Sequence, residues 1–216
     1  AVDAAGNYDF DNSTGFLIDD TVPTTSDNAP ASWQTAGFNV TLEAVDLESG
    51  VNKITYSVDG GGDVEIASNE TNIEILTDGN HTIVYDATNN ASSVSVTKTI
   101  SAALDTVKPT VAFTSGPANG TVVKSGIPPI SVSGSDSTSG LVNITLYLDV
   151  NQIDSCSTSS CGGPWSASDG QHTLNATATD AGNLRTDQRV FGRSNPPGFS
   201  RGHSELVLRG SPKTRD

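Results

Sequence analysis

Apolar and polar residues alternate in short runs along most of this chain. Phe38, Val40, Leu42 and Ala44 alternate with Asn39, Thr41 and Glu43, and Ile54, Tyr56 and Val58 with Thr55 and Ser57. Farther on, Val142, Ile144, Leu146 and Leu148 alternate with Asn143, Thr145, Tyr147 and Asp149, and Leu174, Ala176 and Ala178 with Asn175, Thr177 and Thr179. A period of two turns one face of a strand to a core and the other to water. Gly, Asp, Asn and Pro fall between the runs, where turns need them, and no stretch carries a helical stripe. The pattern predicts an all-β protein with strands over 21–26, 37–45, 51–58, 63–67, 71–76, 80–87 and 92–100. A second set is predicted over 109–115, 129–134, 141–149, 152–156, 165–167, 171–179 and 184–191. Trp165 is placed to fill the second core and Trp33 to cover the edge of the first.

The two sets correspond because the chain repeats itself. Ser49-Gly50-Val51-Asn52-Lys53-Ile54-Thr55-Tyr56-Ser57-Val58-Asp59 parallels Ser139-Gly140-Leu141-Val142-Asn143-Ile144-Thr145-Leu146-Tyr147-Leu148-Asp149, at an offset of 90. Asp78-Gly79-Asn80-His81-Thr82 parallels Asp169-Gly170-Gln171-His172-Thr173, at an offset of 91. Asp3-Ala4-Ala5-Gly6-Asn7, Asp86-Ala87-Thr88-Asn89-Asn90 and Asp180-Ala181-Gly182-Asn183 read as similar endings; Asp20-Thr21-Val22-Pro23 and Asp105-Thr106-Val107-Lys108-Pro109 read as similar starts. The expected organisation is the tail of a preceding repeat at 1–18, full repeats at 19–104 and 105–192, and an unrelated tail at 193–216. Seven short strands in roughly 90 residues fit an antiparallel β-sandwich of the immunoglobulin type.

The order Asp-Thr-x-x-Pro, Ser-Gly, a strand ending in Asp, Asp-Gly-x-His-Thr and Asp-Ala-Gly-Asn resembles the bacterial and archaeal Ig-like repeat domains. The resemblance covers residues 1–192 and is clearest in the second repeat, where Gly163-Pro164-Trp165 also matches. The first repeat departs from it, with Asn89-Asn90 in place of Gly-Asn and no aromatic just before Asp78. The resemblance implies tandem Ig-like sandwiches of large exported surface proteins, serving as stalk, spacer or adhesive module.

Charge narrows the partners. The formal net charge is −14 over 216 residues, and residues 1–184 hold 22 of the 25 acids with four Lys and no Arg. Such a body repels nucleic acid and suits cations. All six Arg lie in 185–216, where a disordered linker, a non-native end and a basic binding arm compete as readings. No run of 18 apolar residues is present, so no membrane span is expected. The chain has no Met, even at position 1, which suggests a processed product or a piece of something longer, with any export signal upstream.

Catalytic constellations are missing. His81 and His172 occupy one position in both repeats, which argues for a role in the fold. No Ser-His-Asp set, phosphate loop or facing carboxylate pair stands out, so the chain is expected not to be an enzyme. Cys156 and Cys161 form either a local disulfide or two free thiols. In a sandwich of this wiring the B–C loop, between the second and third strands, and the F–G loop, between the sixth and seventh, gather at the end that holds the domain's N-terminus. That end would collect Asp105, Asp136, Asp180 and Asn183 in the second repeat, and Asp20, Asp46, Glu48, Asp86 and Asn90, with Asp19, in the first. These residues are either calcium ligands, calcium being the one candidate cofactor, or local backbone caps. Sequons for N-glycosylation occur at Asn12, Asn39, Asn69, Asn80, Asn90, Asn143 and Asn175. The expected role is a non-catalytic structural or adhesive module at the cell surface. Its expected partners are neighbouring Ig-like repeats of the same or like chains, and surface glycans or proteins. The competing reading is a carbohydrate-binding accessory domain of an exported enzyme, with Tyr147 as the outward aromatic.

Overall fold

The computed structural model describes residues 4–6, 15–125 and 128–191. Asn12, most of the 1–18 segment and the 193–216 tail lie outside the described residues. Within them the protein is all-β. The first set of strands is β1 (Thr24–Asp27), β2 (Phe38–Val45), β3 (Val51–Val58), β4 (Val64–Ile66), β5 (Glu70–Ile75), β6 (Gly79–Asn89) and β7 (Lys98–Leu104). The second set is β8 (Thr110–Ser115), β9 (Ile130–Ser135), β10 (Leu141–Leu148), β11 (Asn151–Cys156), β12 (Ser160–Gly163), β13 (Thr173–Asp180) and β14 (Arg185–Phe191).

The first set forms sheets in the order β1-β2-β5 and β4-β3-β6-β7. The second forms β12-β9-β8 and β11-β10-β13-β14. Replacing each strand of the first set by the strand seven places later reproduces the second, so both repeats are wired alike. This is an immunoglobulin-like arrangement in which the short fourth strand pairs with the third. Burial follows the alternation: Val40, Leu42 and Ala44 on β2 face Ile54, Ile83, Tyr85, Ala87, Ala102 and Leu104 of the other sheet in one core. In the second repeat Ile130, Val132, Ile144, Leu146, Leu174 and Ala176 are the buried counterparts.

Contacts divide the chain into two compact units: Ala1–Thr110 with Gly134–Asn143 and Ala178–Thr186, and Val111–Ser133 with Ile144–Thr177 and Asp187–Asp216. The first unit therefore includes the second repeat's loop residues Asp136 and Asp180, along with Asp105.

Two predicted strands differ. Residues 165–167 form none; the strand that pairs with β9 is β12, at Ser160–Gly163, directly after the cysteine loop. Trp165 is half-buried and its indole N–H donates to the Pro128 carbonyl at 2.8 Å. The strand expected over 92–100 begins only at Lys98. Val94 and Val96, which suggested the earlier start, are 50% and 79% exposed. Here the chain makes a turn in which Ser92 takes a φ of 71°, and the Ser95 hydroxyl accepts from the Ala87 N–H.

Candidate functional site

Carboxylates gather at the loop end of each repeat, and the two clusters share one backbone frame. In the first, Asp46 follows β2 and its Oδ1 accepts from the N–H groups of Ser49 and Gly50 at 3.0 and 2.9 Å. Asp19 Oδ2 accepts from the Ser49 N–H at 3.2 Å and from its hydroxyl, and Asp19 Oδ1 from the Thr21 N–H at 2.9 Å. In the second, Asp136 Oδ1 accepts from Ser139 and Gly140 N–H at 3.0 and 2.9 Å. Asp105 Oδ2 accepts from the Ser139 N–H at 3.2 Å, and Asp105 Oδ1 from the Val107 N–H at 3.0 Å. Asp19 thus corresponds to Asp105, and Asp46 to Asp136.

The third member differs in kind. At the end of β6, Asn89 Oδ1 accepts from the Ser93 N–H at 2.8 Å. Its amide Nδ2 donates to Asp19 Oδ2 at 2.9 Å, Thr21 O at 3.1 Å and Asp46 Oδ2 at 3.1 Å. At the end of β13, Asp180 Oδ1 accepts from the Leu184 N–H at 2.9 Å. Its Oδ2 is buried and has no hydrogen-bond partner, and neither has the Ser139 hydroxyl. Asp105, Asp136 and Asp180 each bring a carboxylate oxygen within 4.8 Å of the others; Asp19, Asp46 and Glu48 do the same in the first repeat.

Electrostatics follow from these contacts. Hydrogen bonds from Ser49 and then Thr21 hold the Asp19 carboxyl down at about 2. Burial, with the Asp105 and Asp136 carboxylates beside it, pushes the Asp180 carboxyl up. Asp105 and Asp180 are 0% and 1% exposed, an arrangement that leaves like charges without solvent.

The remaining predicted residues fall elsewhere. Asp86, on β6, accepts from the hydroxyl of Thr97, just before β7, at 3.5 Å. Asp20 is exposed, and neither Asp20 nor Asp86 is in the close carboxylate groups among the described residues. Asn183 closes the loop after Asp180 with a φ of 63°, its N–H donating to the Asp180 carbonyl. Asn90 Nδ2 donates to Ser49 O at 2.8 Å. Asn39, Asn69, Asn80 and Asn90 are exposed, whereas Asn143 and Asn175 are half-buried. Cys156 and Cys161 form a disulfide, which leaves Asp154 as the single carboxylate beside it.

The histidines fasten hairpins. Asp59 and Asp149 end β3 and β10 in the left-handed region, at φ 53° and 58°, which short polar side chains tolerate. Asp59 Oδ1 accepts from Thr82 N–H at 2.8 Å and its Oδ2 meets His81 Nδ1 at 2.7 Å. His81 Nε2 meets the Thr77 carbonyl at 2.8 Å. His172 repeats this with Asp149 at 2.9 Å and the Ser168 carbonyl at 2.8 Å. Both ring nitrogens face acceptors, so the doubly protonated ring fits best. The hydrogen bonds to Asp59 and Asp149 raise both His pKa values, and those from the His rings lower both Asp values.

The pH dependence follows by linkage. The His contribution is complete below the ordinary 6.5 and is lost as pH rises through the raised folded pKa. The Asp contribution is complete above the ordinary 3.8 and is lost as pH falls through the depressed folded pKa. Both are present together between 3.8 and 6.5. Melting curves should therefore show Tm declining as pH rises above 6.5, with the decline flattened in the His81→Gln, His172→Gln variant.

Residues 109–176 match the family model described as the bacterial Ig domain. The match covers most of the second repeat, and both repeats have the immunoglobulin-like fold. No curated protein matches it. Fibronectin(III)-like modules of Clostridium thermocellum CbhA align at 16% identity over 85% of this chain and 100% of theirs, with a TM-score of 0.42. A titin domain segment aligns at 11% identity over 80% and 67%, with a TM-score of 0.46. A two-domain fibronectin type-III segment of chicken tenascin aligns at 12% over 77% and 97%, with a TM-score of 0.38. The Ig-like repeats owe their matched end loops to Asp105 and its counterpart Asp19, each of which ties the entering chain to the Ser-Gly turn before the third strand.

Proposed function

We propose that this chain is a non-catalytic stalk or adhesive segment of an exported cell-surface protein, its repeats spacing or presenting a binding region. The observation that carries the reading is the same seven-strand wiring twice in succession, joined by the five residues between Leu104 and Thr110. The start of that connection is held down: Asp105 N–H donates to Gln34 O at 2.8 Å, and Thr106 N–H to Asp78 Oδ1 at 2.9 Å. A short, hydrogen-bonded connection suits a module that bears load along a string. The disulfide and the exposed sequon Asn residues at 39, 69, 80 and 90 suit an extracellular, glycosylated setting.

Stretching the chain by its ends should give separate unfolding peaks, each releasing roughly 250–300 Å of contour for an 85–90-residue repeat. An antibody against residues 19–192 should label intact source cells. Extension without force peaks, or labelling only after permeabilisation, would reject the stalk reading.

The carbohydrate-binding alternative has one observation in its favour. A cavity of about 550 Å³ in the second unit is lined by Trp165, Leu148, Leu174, Lys124, Asp169 and His172, among others. It offers an aromatic face beside polar groups, as sugar sites do. Glycan-array binding lost on Trp165→Ala would favour that alternative.

A further inference from the structure

The two acidic pockets are one frame with one changed atom. Eight backbone-to-carboxylate hydrogen bonds, four in each repeat, correspond in kind, and four of the eight fix Ser49 with Gly50 and Ser139 with Gly140 on Asp46 and Asp136. Into this frame the first repeat inserts an amide nitrogen, Asn89 Nδ2, which donates to three oxygens. The second repeat inserts an oxygen at the corresponding place. Asp180 is held in the same pose as Asn89, Oδ1 on the N–H of the residue four places on. Its other oxygen therefore points where Nδ2 points, at carboxylates and a carbonyl that can only accept.

Acceptors facing acceptors in a buried pocket leave their desolvation uncompensated unless a positive centre lies between them. Asp180 is 1% exposed and its Oδ2 lacks any partner. The Ser139 hydroxyl at the same pocket is also buried without a partner, whereas Ser49 donates to Asp19.

We propose that Asp105, Asp136 and Asp180 form a divalent-cation site of calcium type, and that Asp19, Asp46 and Asn89 form its metal-free counterpart, with the Asn89 amide standing where the ion would sit. The donors are all oxygens, which selects a hard cation. Carboxylate oxygens within 4.8 Å of one another can lie on opposite sides of one ion with bonds of about 2.4 Å, the calcium–oxygen distance. Ser139 Oγ is a further donor. The Val107 carbonyl corresponds to that of Thr21, and water fills the remaining positions. Asp20, Asp86 and Asn183 are not part of the set, and Glu48 has no counterpart in it. The site is a property of the chain alone and stands or falls whether or not the stalk reading holds.

The test uses the full chain, stripped with chelator and titrated with calcium alone, by calorimetry and by melting. Wild type should bind at a single saturable site and melt several degrees higher with calcium than with chelator. Asp180→Asn should bind at least about a hundredfold more weakly, and in chelator it should melt above wild type, because it reproduces the Asn89 hydrogen bonds. Asn89→Asp should gain a second site and become dependent on calcium, which keeps the test decisive if the first variant fails to fold. No saturable binding by wild type up to millimolar calcium would overturn the proposal. So would binding that Asp180→Asn leaves intact, or an Asn89→Asp variant that gains nothing. A pocket neutralised by a proton would show itself as a melting temperature indifferent to chelator, and that too would overturn it.

Discussion

Gly162→Ala should destabilise the second repeat by about 3 kcal/mol or more, the larger of two effects expected from single methyl-scale changes. Gly162 lies in β12 opposite Ser131 of β9, with a φ of 150°. A Cβ there would sit 2.2 Å from the Ile130 carbonyl oxygen, 2.9 Å from Ser131 Cα and 3.0 Å from the Ile130 carbonyl carbon. All three are backbone atoms of the paired strand, so no side chain can swing aside. The ladder must open by roughly an ångström, losing hydrogen bonds of about 1 kcal/mol each, on top of about 1–2 kcal/mol of backbone strain. Gly163 is the internal control, because a Cβ there meets nothing within 4 Å. Gly163→Ala should stay within about 0.5 kcal/mol of wild type. Denaturant titration of the three proteins measures the difference, and equal costs at 162 and 163 would refute the packing seen for β12.

This strand also marks the limit of what the residue pattern discloses. β2 and β10 bury every second side chain, and the period of two reveals them directly. β12 reads Ser-Cys-Gly-Gly, with a single apolar side chain, Cys161, turned inward. Its position is set by the disulfide and by backbone that only Gly adopts, and neither leaves an alternating trace. Trp165, the conspicuous apolar residue nearby, draws the expected strand four to five residues too far on. The reverse happened at Val94 and Val96, where alternation is present but a turn exposes both.

The loop-end cluster was legible in part for a similar reason. Asp46, Asp105, Asp136 and Asp180 follow from the loop order of the fold, and the structure brings the last three together. Asn89 was passed over because the Asp86-Ala87 pair imitates Asp180-Ala181. The offset of 91 between the Asp-Gly-x-His-Thr motifs points from Asp180 to Asn89 instead. Hydrogen bonding agrees: Asn89 N–H donates to the Ser93 carbonyl as Asp180 N–H does to that of Leu184. Register within a repeated strand was a better guide than local resemblance, since a slip of three residues moves a side chain to the opposite face.

Leu42→Ala should remove about 3 kcal/mol from the first repeat and lower its Tm by on the order of 15 °C. Leu42 is 0% exposed at the centre of β2, between Val40 and Ala44 on the same face. Its side chain meets a wall of Ile54, Ile83, Tyr85 and Ala87 from the opposite sheet, residues that are 0%, 0%, 1% and 0% exposed. That wall cannot collapse into the space left behind. β3 and β6 pair in one register from Lys53 to Val58, and Tyr85 is pinned by its hydroxyl, which donates to Asp27 Oδ2 at 2.8 Å. A cavity that relaxes little keeps the cost of the void on top of the transfer of the lost methyls. Leu47 supplies the contrast, since it is 87% exposed in the loop after β2 and Leu47→Ala should leave Tm within about 2 °C. The calcium-dependent part of the melt should be unchanged in Leu42→Ala, because the Asp105 pocket shares none of these side chains. A Leu42→Ala chain as stable as wild type would mean that the two sheets of the first repeat do not close on one another, and the sandwich itself would have to be given up.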